Sequence, residues 1–274
     1  MTRSSFVAVS IESPRLGTRL ADGFEDTLTI AKRDLIDVWR TPQLLATSLF
    51  GPILFVLLFR YVFGGAINIS SVTSYPYVDY LMPAIFVITL FFGVMVTATG
   101  LASDVQSGLL ERLRALPMAR YAFMSGRTVA DLVRNVVILA FAVGFGFLVG
   151  FRVHTSATLF LLGMLLALVF GYSISWFFCL VGLVFGNPEA ADAGASFVVL
   201  PLLFASSAFV PVSSMPSWLQ GFAKYQPVSV TIAAMRALSL GGPAASHVWQ
   251  TLAWCAGMVA VCAPLSVWWY KRSA

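Results

Sequence analysis

The stretch DVQSGLLERLRALPMARYAFMSGR, residues 104–127, lies between two long apolar runs and is unusually rich in charge for this chain. Only 11% of all residues are charged, yet this stretch holds two acids and four arginines. Its leucines alternate with the charges and can share one face of a short helix. Pro117 ends that helix, because the residue before a proline avoids the α conformation.

Two interpretations of this stretch are open. Taken alone, it is more simply a solvated loop whose arginines fix membrane topology. The alternative is a compact docking helix with a basic tail. The candidate docking residues are Leu110, Glu111, Arg112, Leu113, Arg114, Leu116 and Arg120.

The composition indicates a membrane protein. Of the 274 residues 59% are hydrophobic and the mean hydropathy is +0.87, whereas soluble domains average about 45–50% apolar and about 25% charged residues. The 17 Lys and Arg residues exceed the 12 Asp and Glu residues. Because the basic residues lie at the ends of apolar runs, the excess predicts membrane topology and not nucleic-acid binding. The three cysteines lie in apolar stretches without a disulfide framework or a zinc spacing.

The N-terminal region has two parts. Residues 1–23 are polar and predict a flexible cytoplasmic tail, without a continuous apolar segment of signal-peptide length. Over residues 24–40 apolar side chains recur at helical spacing, which predicts an amphipathic helix on the inner membrane surface with Trp39 at headgroup depth. An ordinary cytoplasmic helix is the alternative.

Six apolar segments predict an all-α membrane protein, since roughly 20 apolar residues cross a bilayer. The segments cover residues 43–63, 80–103, 128–150, 158–185, 193–209 and 248–269. In the third, Asp131 and Arg134 are three residues apart and are expected to pair on one helix face. Small residues four apart, Gly182 and Gly186 among them, predict close helix packing.

The second span carries three threonines, Thr89, Thr97 and Thr99. Their hydroxyls are expected to hydrogen-bond to their own helix and not to a transported compound.

An apolar region before the last span is cut by prolines, so no uninterrupted segment in it is long enough to cross a membrane. Trp218 and its neighbours suit a short interfacial helix, and residues 228–240 suit a second. We predict a re-entrant helix pair, surrounded by protein or water. Lys224 is expected to be an interfacial anchor, or alternatively to meet an anionic headgroup, and the same holds for Arg236. The candidate residues of this segment are Pro211, Pro216, Trp218, Pro227 and Arg236.

The distribution of basic residues predicts the topology. The N-terminal region, the loop after the second span and the C-terminus together hold twelve Lys and Arg residues. The opposite side holds four, Arg60, Arg152, Lys224 and Arg236. The bias predicts six spans with both termini and the charged loop in the cytoplasm.

Recognisable reaction chemistry is scarce in the sequence. No stretch matches G-x-x-x-x-G-K-[ST], so we expect no ATP site in this chain, and no His/Cys pattern predicts a metal. Asp131 is the only acid within a predicted span, which disfavours an ion-coupled carrier. Ser173 follows Gly171-Tyr172, but both histidines lie near outer span ends, so an intramembrane hydrolase is a weak alternative. A multi-span protein without such a site needs energy from a partner.

Three segments resemble the permease subunit of type-2 ABC exporters of the daunorubicin/doxorubicin-resistance branch. One is the loop Gly108-Leu-Leu-Glu-Arg-Leu-Arg-Ala-Leu-Pro-Met-Ala-Arg120, and another is the inner turn Asn187-Pro-Glu-Ala-Ala191, which includes Glu189. The third is Phe209-Val-Pro-Val-Ser-Ser-Met-Pro-Ser-Trp218, followed by Gln226-Pro-Val-Ser and Ala234-Met-Arg-Ala-Leu238. The resemblance runs from about residue 24 to the C-terminus.

The resemblance implies one transmembrane domain over residues 24–272, with a coupling helix after the second span and a re-entrant pair before the sixth. It implies a bacterial plasma-membrane permease that exports a hydrophobic or amphipathic compound, such as a drug, an antibiotic or a cell-envelope lipid. A glycan precursor is the alternative cargo. The implied partners are two ATP-binding subunits, which hold ATP and Mg, and a second permease subunit, identical or related.

Overall fold

The structure is a computed structural model that describes Lys32 and residues 42–62, 75–114 and 122–272. The predicted tail over residues 1–23 lies outside the described residues, and so does the predicted interfacial helix over residues 24–40, apart from Lys32. Leu116 and Arg120 of the candidate docking residues also lie outside them.

The described chain is helical and contains no strand. Its helices are α1 (Pro42–Leu57), which continues as a π-helical turn over Leu58–Val62, α2 (Tyr77–Gln106), α3 (Leu109–Arg114), α4 (Ala122–Val149), α5 (Ala157–Phe185), α6 (Pro188–Phe204), α7 (Ser217–Tyr225), α8 (Pro227–Leu240) and α9 (Ala245–Arg272). A 3₁₀ turn, Val212–Ser214, lies between α6 and α7.

Four of these helices, α2, α4, α5 and α9, are long and apolar enough to cross a membrane. The first and fifth predicted spans correspond to shorter apolar helices, α1 with 16 residues and α6 with 17 residues. The all-helical membrane class is therefore confirmed for the described chain. The count of six spans and the re-entrant character of α7 and α8 stay predictions.

Several helix boundaries differ from the predicted ones, and the contacts at α2 and α6 give physical reasons for the difference. Helix α2 begins at Tyr77, so it includes Asp79 in its first turn, where a carboxylate interacts favourably with the helix dipole. Helix α6 begins five residues early, because the Asn187 side chain accepts hydrogen bonds from the first free amides of the helix. It ends at Phe204, where Ser206 bonds through its hydroxyl to the Leu203 carbonyl at 2.6 Å.

Helix α2 lies at the centre of the molecule. It packs against α1, α4, α5, α6 and α8, and it is the most deeply buried of the four long helices. A helix that is apolar on all faces is expected in such a position. Helix α5 is the second central element and contacts α2, α4, α6, α8 and α9. The remaining long elements lie around this pair.

Because consecutive long helices run in opposite directions, the bundle has two ends. The basic end contains the end of α2, the short helix α3, the start of α4, the turn between α5 and α6, and the end of α9. The hairpin end contains the start of α2, the turn between α4 and α5, the start of α9, and α7 and α8, which form a helical hairpin. These two names are used below.

Candidate functional site

The short helix α3 is the described part of the candidate docking segment, and it lies at the basic end. Gly108 has a φ of 69°, which allows the chain to turn directly after α2. Leu110 is only 4% exposed and packs in an apolar cluster with Leu101 and Met124. The expectation that Leu110 contacts a partner is therefore corrected: Leu110 anchors α3 to the bundle, while Arg112 is exposed.

Polar side chains connect α2 to α4 from the basic end into the bundle, and we call Thr97, Asp104, Arg127, Asp131 and Arg134 the polar ladder. Asp104 accepts a hydrogen bond from Arg127. Deeper in the bundle, Thr97 donates to Asp131 Oδ2 at 2.6 Å, and Asp131 Oδ1 lies 2.7 Å from Arg134 Nη2. The predicted pairing of Asp131 with Arg134 is confirmed. Thr97 departs from the expectation, since its hydroxyl bonds to α4 instead of its own helix.

The other two threonines of α2 behave as expected. Thr89 donates to the Ile85 carbonyl at 2.7 Å, and Thr99 donates to the Val96 carbonyl at 3.1 Å. Their hydroxyls are therefore occupied within their own helix.

Glycines allow the helices around α2 to approach closely. A Cβ at Gly93 would lie 2.7 Å from Asn135 Oδ1, and the Gly93 carbonyl accepts a hydrogen bond of 2.7 Å from Arg134. A Cβ at Gly182 would lie 2.5 Å from the Ala98 carbonyl oxygen, so α5 rests directly on the α2 backbone. The close packing predicted at Gly182 is confirmed.

The turn between α5 and α6 is the second candidate segment at the basic end. Gly186 has a φ of 60° and ends α5. Asn187 Oδ1 accepts hydrogen bonds from the Glu189 amide at 2.9 Å and the Ala190 amide at 3.1 Å. The Asn187 side chain is therefore committed to capping α6. Glu189 is exposed at the first turn of that helix.

The hairpin of α7 and α8 is built around prolines. Pro216 precedes α7 and Pro227 occupies the first turn of α8, a position where the missing amide hydrogen costs nothing. Between them the Gln226 side chain donates to the Leu202 carbonyl at 2.8 Å, which attaches the hairpin to the end of α6. Trp218 on α7 is exposed, and Pro211 precedes the 3₁₀ turn that leads into the hairpin.

Arg236 attaches α8 to two other elements. Its Nε donates to the Tyr80 carbonyl at 2.9 Å, and its Nη2 donates to the Ala208 carbonyl at 2.8 Å. The guanidinium also lies over the Tyr80 ring, 3.5 Å from the centroid. The expectation of an interfacial anchor is therefore corrected. Arg236 is partly buried, and its hydrogen bonds link α8 to α2 and to the segment after α6.

Asp79 forms a site at the hairpin end that the sequence did not reveal. Asp79 is 2% exposed, and its Oδ2 lies 2.7 Å from His154 Nε2. Its Oδ1 accepts from the Arg152 amide at 2.8 Å, and the Tyr75 ring stacks on His154 at 4.2 Å. The predicted second span began only at residue 80, and the sequence contained no signal for the pairing, because the partners are 75 residues apart.

The described residues offer no arrangement for hydrolysis or metal binding. Ser173 donates its hydroxyl to the Val169 carbonyl at 2.8 Å, and His154 is paired with Asp79. No group of three or more His, Cys, Asp or Glu residues in the described chain could hold a metal ion. Asp131 is paired within the polar ladder, which does not favour a proton relay.

Comparison with known proteins agrees with this architecture. Residues 25–240 match the family described as ABC-2 type transporter. The chain is 34% identical to the daunorubicin resistance ABC transporter permease protein DrrB1 of Streptomyces coeruleorubidus, over 90% of this chain and 86% of that protein. It is 32% identical to the probable doxorubicin resistance ABC transporter permease protein DrrC of Mycobacterium tuberculosis, over 81% and 80%. A putative transport permease of Cyanophora paradoxa, ycf38, is 28% identical over 78% and 74%.

These matches cover most of the chain and most of each relative. The chain therefore belongs to the ABC-2 type transporter family of membrane transport subunits, which are not themselves catalytic and work with a separate ATP-binding protein that hydrolyses ATP.

Proposed function

We propose that this chain is the permease subunit of an ATP-driven exporter that moves a hydrophobic or amphipathic compound out of the cytoplasm or the inner leaflet. The observation that carries the proposal is the match to two permeases whose names refer to daunorubicin and doxorubicin resistance. Both drugs combine an apolar ring system with polar groups. A drug, an antibiotic or a cell-envelope lipid of this amphipathic kind is the proposed cargo.

The coupling site of the proposal is α3 with the residues that follow it. Leu110 holds the helix to the bundle, and Arg112 is exposed. Leu113 and Leu116 then provide the apolar contact with the ATP-binding subunit, while Glu111, Arg114 and Arg120 set its register through charge pairs. The polar ladder joins α2 to α4 directly beside α3. In this proposal, a displacement of α3 by the ATP-binding subunit therefore moves α2 and α4 together.

The second inner turn and the hairpin have supporting roles in the proposal. Glu189 is exposed at the basic end and offers a second contact for the ATP-binding subunit, with Asn187 holding its helix in place. The hairpin, with Pro211, Pro216, Trp218, Pro227 and Arg236, closes the bundle at the outer side as a re-entrant pair. Its attachment through Arg236 couples it to α2.

The proposed assembly contains two ATP-binding subunits, which bind ATP and Mg, and a second permease subunit that is identical or related. Exposed aromatic side chains on α1 and α6 offer an apolar surface for that second permease. Phe50 is 68% exposed and Phe197 is 81% exposed. Such a surface also suits contact with lipid, so it supports the assembly only together with the family relationship.

The proposed location is the bacterial plasma membrane, with six spans and both termini in the cytoplasm. Single cysteines at Ser107 and Ser246, both exposed, test this orientation in a background without the three native cysteines. We expect Ser107→Cys to react with an impermeant maleimide only from the cytoplasmic side and Ser246→Cys only from outside. Labelling of Ser107→Cys from outside contradicts the six-span topology.

The transport experiment begins with purification from the native membrane. We expect a protein with a G-x-x-x-x-G-K-[ST] motif to co-purify, and the complex to move daunorubicin across proteoliposome membranes when ATP is supplied. Uptake that follows a pH gradient without ATP would instead support an ion-coupled carrier. Export of a glycan-linked lipid in place of daunorubicin would change the cargo but keep the mechanism.

The matched variants Leu113→Asp and Leu110→Asp separate coupling from folding. Loss of an apolar anchor at an interface centre costs about 2 kcal/mol or more, so we expect Leu113→Asp to insert normally but lose most transport and partner binding. Leu110→Asp places a charge in an apolar cluster and is expected to lower the membrane level itself. Full transport by a normally inserted Leu113→Asp variant contradicts the coupling role.

A further inference from the structure

The side chain of Asn135 lies where α2, α4 and α5 meet. Asn135 is 0% exposed, and it faces a glycine on each of the two neighbouring helices. A Cβ at Gly93 of α2 would lie 2.7 Å from Asn135 Oδ1, and a Cβ at Gly171 of α5 would lie 3.3 Å from Asn135 Nδ2. The two glycines therefore make the room that the amide occupies.

The Asn135 amide is buried without hydrogen bonds. Neither its Oδ1 nor its Nδ2 has a hydrogen-bond partner among the described residues. Two polar groups of α2 that face α4 are used by other side chains, since the Gly93 carbonyl accepts from Arg134 and the Thr97 hydroxyl donates to Asp131. Buried polar groups are almost always paired, and an unpaired one is costly. Asn135 therefore destabilises the helix arrangement of the structure.

Packing alone does not account for an asparagine at this position. Ile138 lies beside Gly93 and Leu90 lies beside Gly171, and both side chains are buried. Leucine has the same branching and the same number of side-chain heavy atoms as asparagine, and it has no polar group to leave unpaired. An apolar side chain of that shape would fill the space between the two glycines at a lower cost.

Thr89 of α2 provides the contrast within the same bundle. It is also 0% exposed, but its hydroxyl donates to the Ile85 carbonyl at 2.7 Å. A paired hydroxyl of this kind is compatible with a stable helix arrangement. Burial of a polar side chain in this bundle therefore does not by itself leave it unpaired, and Asn135 differs from Thr89 in that respect.

A group that is unpaired in one arrangement of the helices favours an arrangement in which it is paired. The Gly93 carbonyl shows that the backbone of α2 offers acceptors to α4, because it accepts from Arg134, the residue next to Asn135. A displacement of α4 against α2 and α5 brings the Asn135 amide to such a carbonyl. The unpaired amide thus lowers the free-energy difference between the two arrangements.

We propose that Asn135 is a conformational switch residue, which destabilises the arrangement of the structure so that α4 moves against α2 and α5 during transport. The inference rests on the proposed function, since a transporter alternates between two arrangements. If the amide were only a local defect, an apolar replacement would stabilise the chain without changing the motion of α4.

Three substitutions test the switch. Asn135→Leu removes the unpaired amide and keeps the shape of the side chain, and Asn135→Ala removes the amide without added bulk. Thr89→Val is the matched control, because it removes a buried polar group that is already paired. We expect Asn135→Leu to raise the apparent melting temperature of the purified full chain by about 3 °C or more, and Thr89→Val to change it by less than about 2 °C.

The motion of α4 is measured by hydrogen–deuterium exchange of the complex with its ATP-binding subunit, with and without a non-hydrolysable ATP analogue. We expect the analogue to change the exchange of α4 in the wild type and in Thr89→Val. In Asn135→Leu and Asn135→Ala we expect this response to be about fivefold smaller, and ATP-driven transport to fall by a similar factor, since the arrangement of the structure is then favoured.

Four results overturn the inference. The first is a melting temperature of Asn135→Leu at or below that of the wild type, which would show that the amide stabilises the arrangement. The second is a wild-type response to the analogue in Asn135→Leu, and the third is a wild-type response in Asn135→Ala when Asn135→Leu has lost it, which would make bulk the cause. The fourth is a wild-type complex that binds the analogue without any change in α4.

The proposed function fails by a different result. A wild-type complex without ATP-driven transport contradicts the proposed function, whereas the melting temperatures of Asn135→Leu and Thr89→Val do not depend on transport. The two failures are therefore distinguishable.

Discussion

The two ends of the bundle hold their helices together in different ways. At the basic end, α2 and α4 are connected mainly through side chains: Asp104 pairs with Arg127 and Thr97 donates to Asp131, while Arg134 also donates to the Gly93 carbonyl. At the hairpin end, Arg236 instead donates to two backbone carbonyls, those of Tyr80 and Ala208, and covers an aromatic ring. Contacts between side chains predominate in the polar ladder, whereas the contacts of Arg236 are to backbone carbonyls and a ring.

The difference follows from the shape of the backbone at each end. In long helices such as α2 and α4 most carbonyls accept from their own helix, so side chains make most of the connections, and the Gly93 carbonyl that accepts from Arg134 is an exception. Where α6 ends and the α7–α8 hairpin begins, carbonyls are left without helical partners and need donors from elsewhere. Arg236 and Gln226 supply those donors. The connections of the polar ladder therefore rest mainly on side chains, and those of Arg236 and Gln226 rest on backbone carbonyls.

The largest effect is expected when the deepest pair of the polar ladder is broken. Asp131→Ala leaves Arg134 buried without its counter-charge, which costs about 3–5 kcal/mol in comparable buried pairs. We expect a large drop in the apparent melting temperature in detergent. Asp104→Ala, at a pair whose side chains are 13% and 20% exposed, is expected to cost less than Asp131→Ala. Equal losses for the two variants would contradict the graded burial of the ladder.

A double variant sharpens this prediction. In Asp131→Ala with Arg134→Leu no buried charge remains unpaired, so we expect the double variant to be more stable than Asp131→Ala alone. The same melting experiment measures it. A double variant that is less stable than either single variant would show that the two residues contribute independently of their pairing.

An intermediate effect is expected at the hairpin end. Arg236→Met keeps the length of the side chain but removes both backbone hydrogen bonds and the contact with the Tyr80 ring, at a cost of about 2–3 kcal/mol. We expect faster hydrogen–deuterium exchange over residues 205–209 and in α8. Arg236→Lys serves as the control and is expected to restore only part of the protection, because an ammonium group cannot reach two carbonyls in the same geometry.

The smallest effect is expected at the inner turn between α5 and α6. Asn187→Ala removes a helix cap worth about 1 kcal/mol. Glu189→Ala, two residues away and exposed, is expected to leave the melting temperature nearly unchanged. If Glu189→Ala then lowers transport in the reconstituted complex, Glu189 contacts the ATP-binding subunit. If both variants leave transport intact, the turn has no part in coupling.

The sequence by itself determined the class of the protein and the positions of most helices. A span needs a long apolar run, and such runs are a local property that can be read in order along the chain. The pairing of Asp131 with Arg134 was likewise predictable, because residues three apart on a helix face each other. The same holds for Gly182, where a small residue in an apolar run indicates close approach of another helix.

Only the tertiary structure decided which residues from distant parts of the chain meet. The Thr97 hydroxyl was expected to bond to its own helix, but it bonds to Asp131 of α4. Leu110 belongs to the charged stretch but is buried in the bundle. Arg236 contacts a carbonyl that lies 156 residues away, and Asp79 pairs with His154, which lies 75 residues away. Burial and pairing depend on which helix faces which, and a single sequence does not contain that relation.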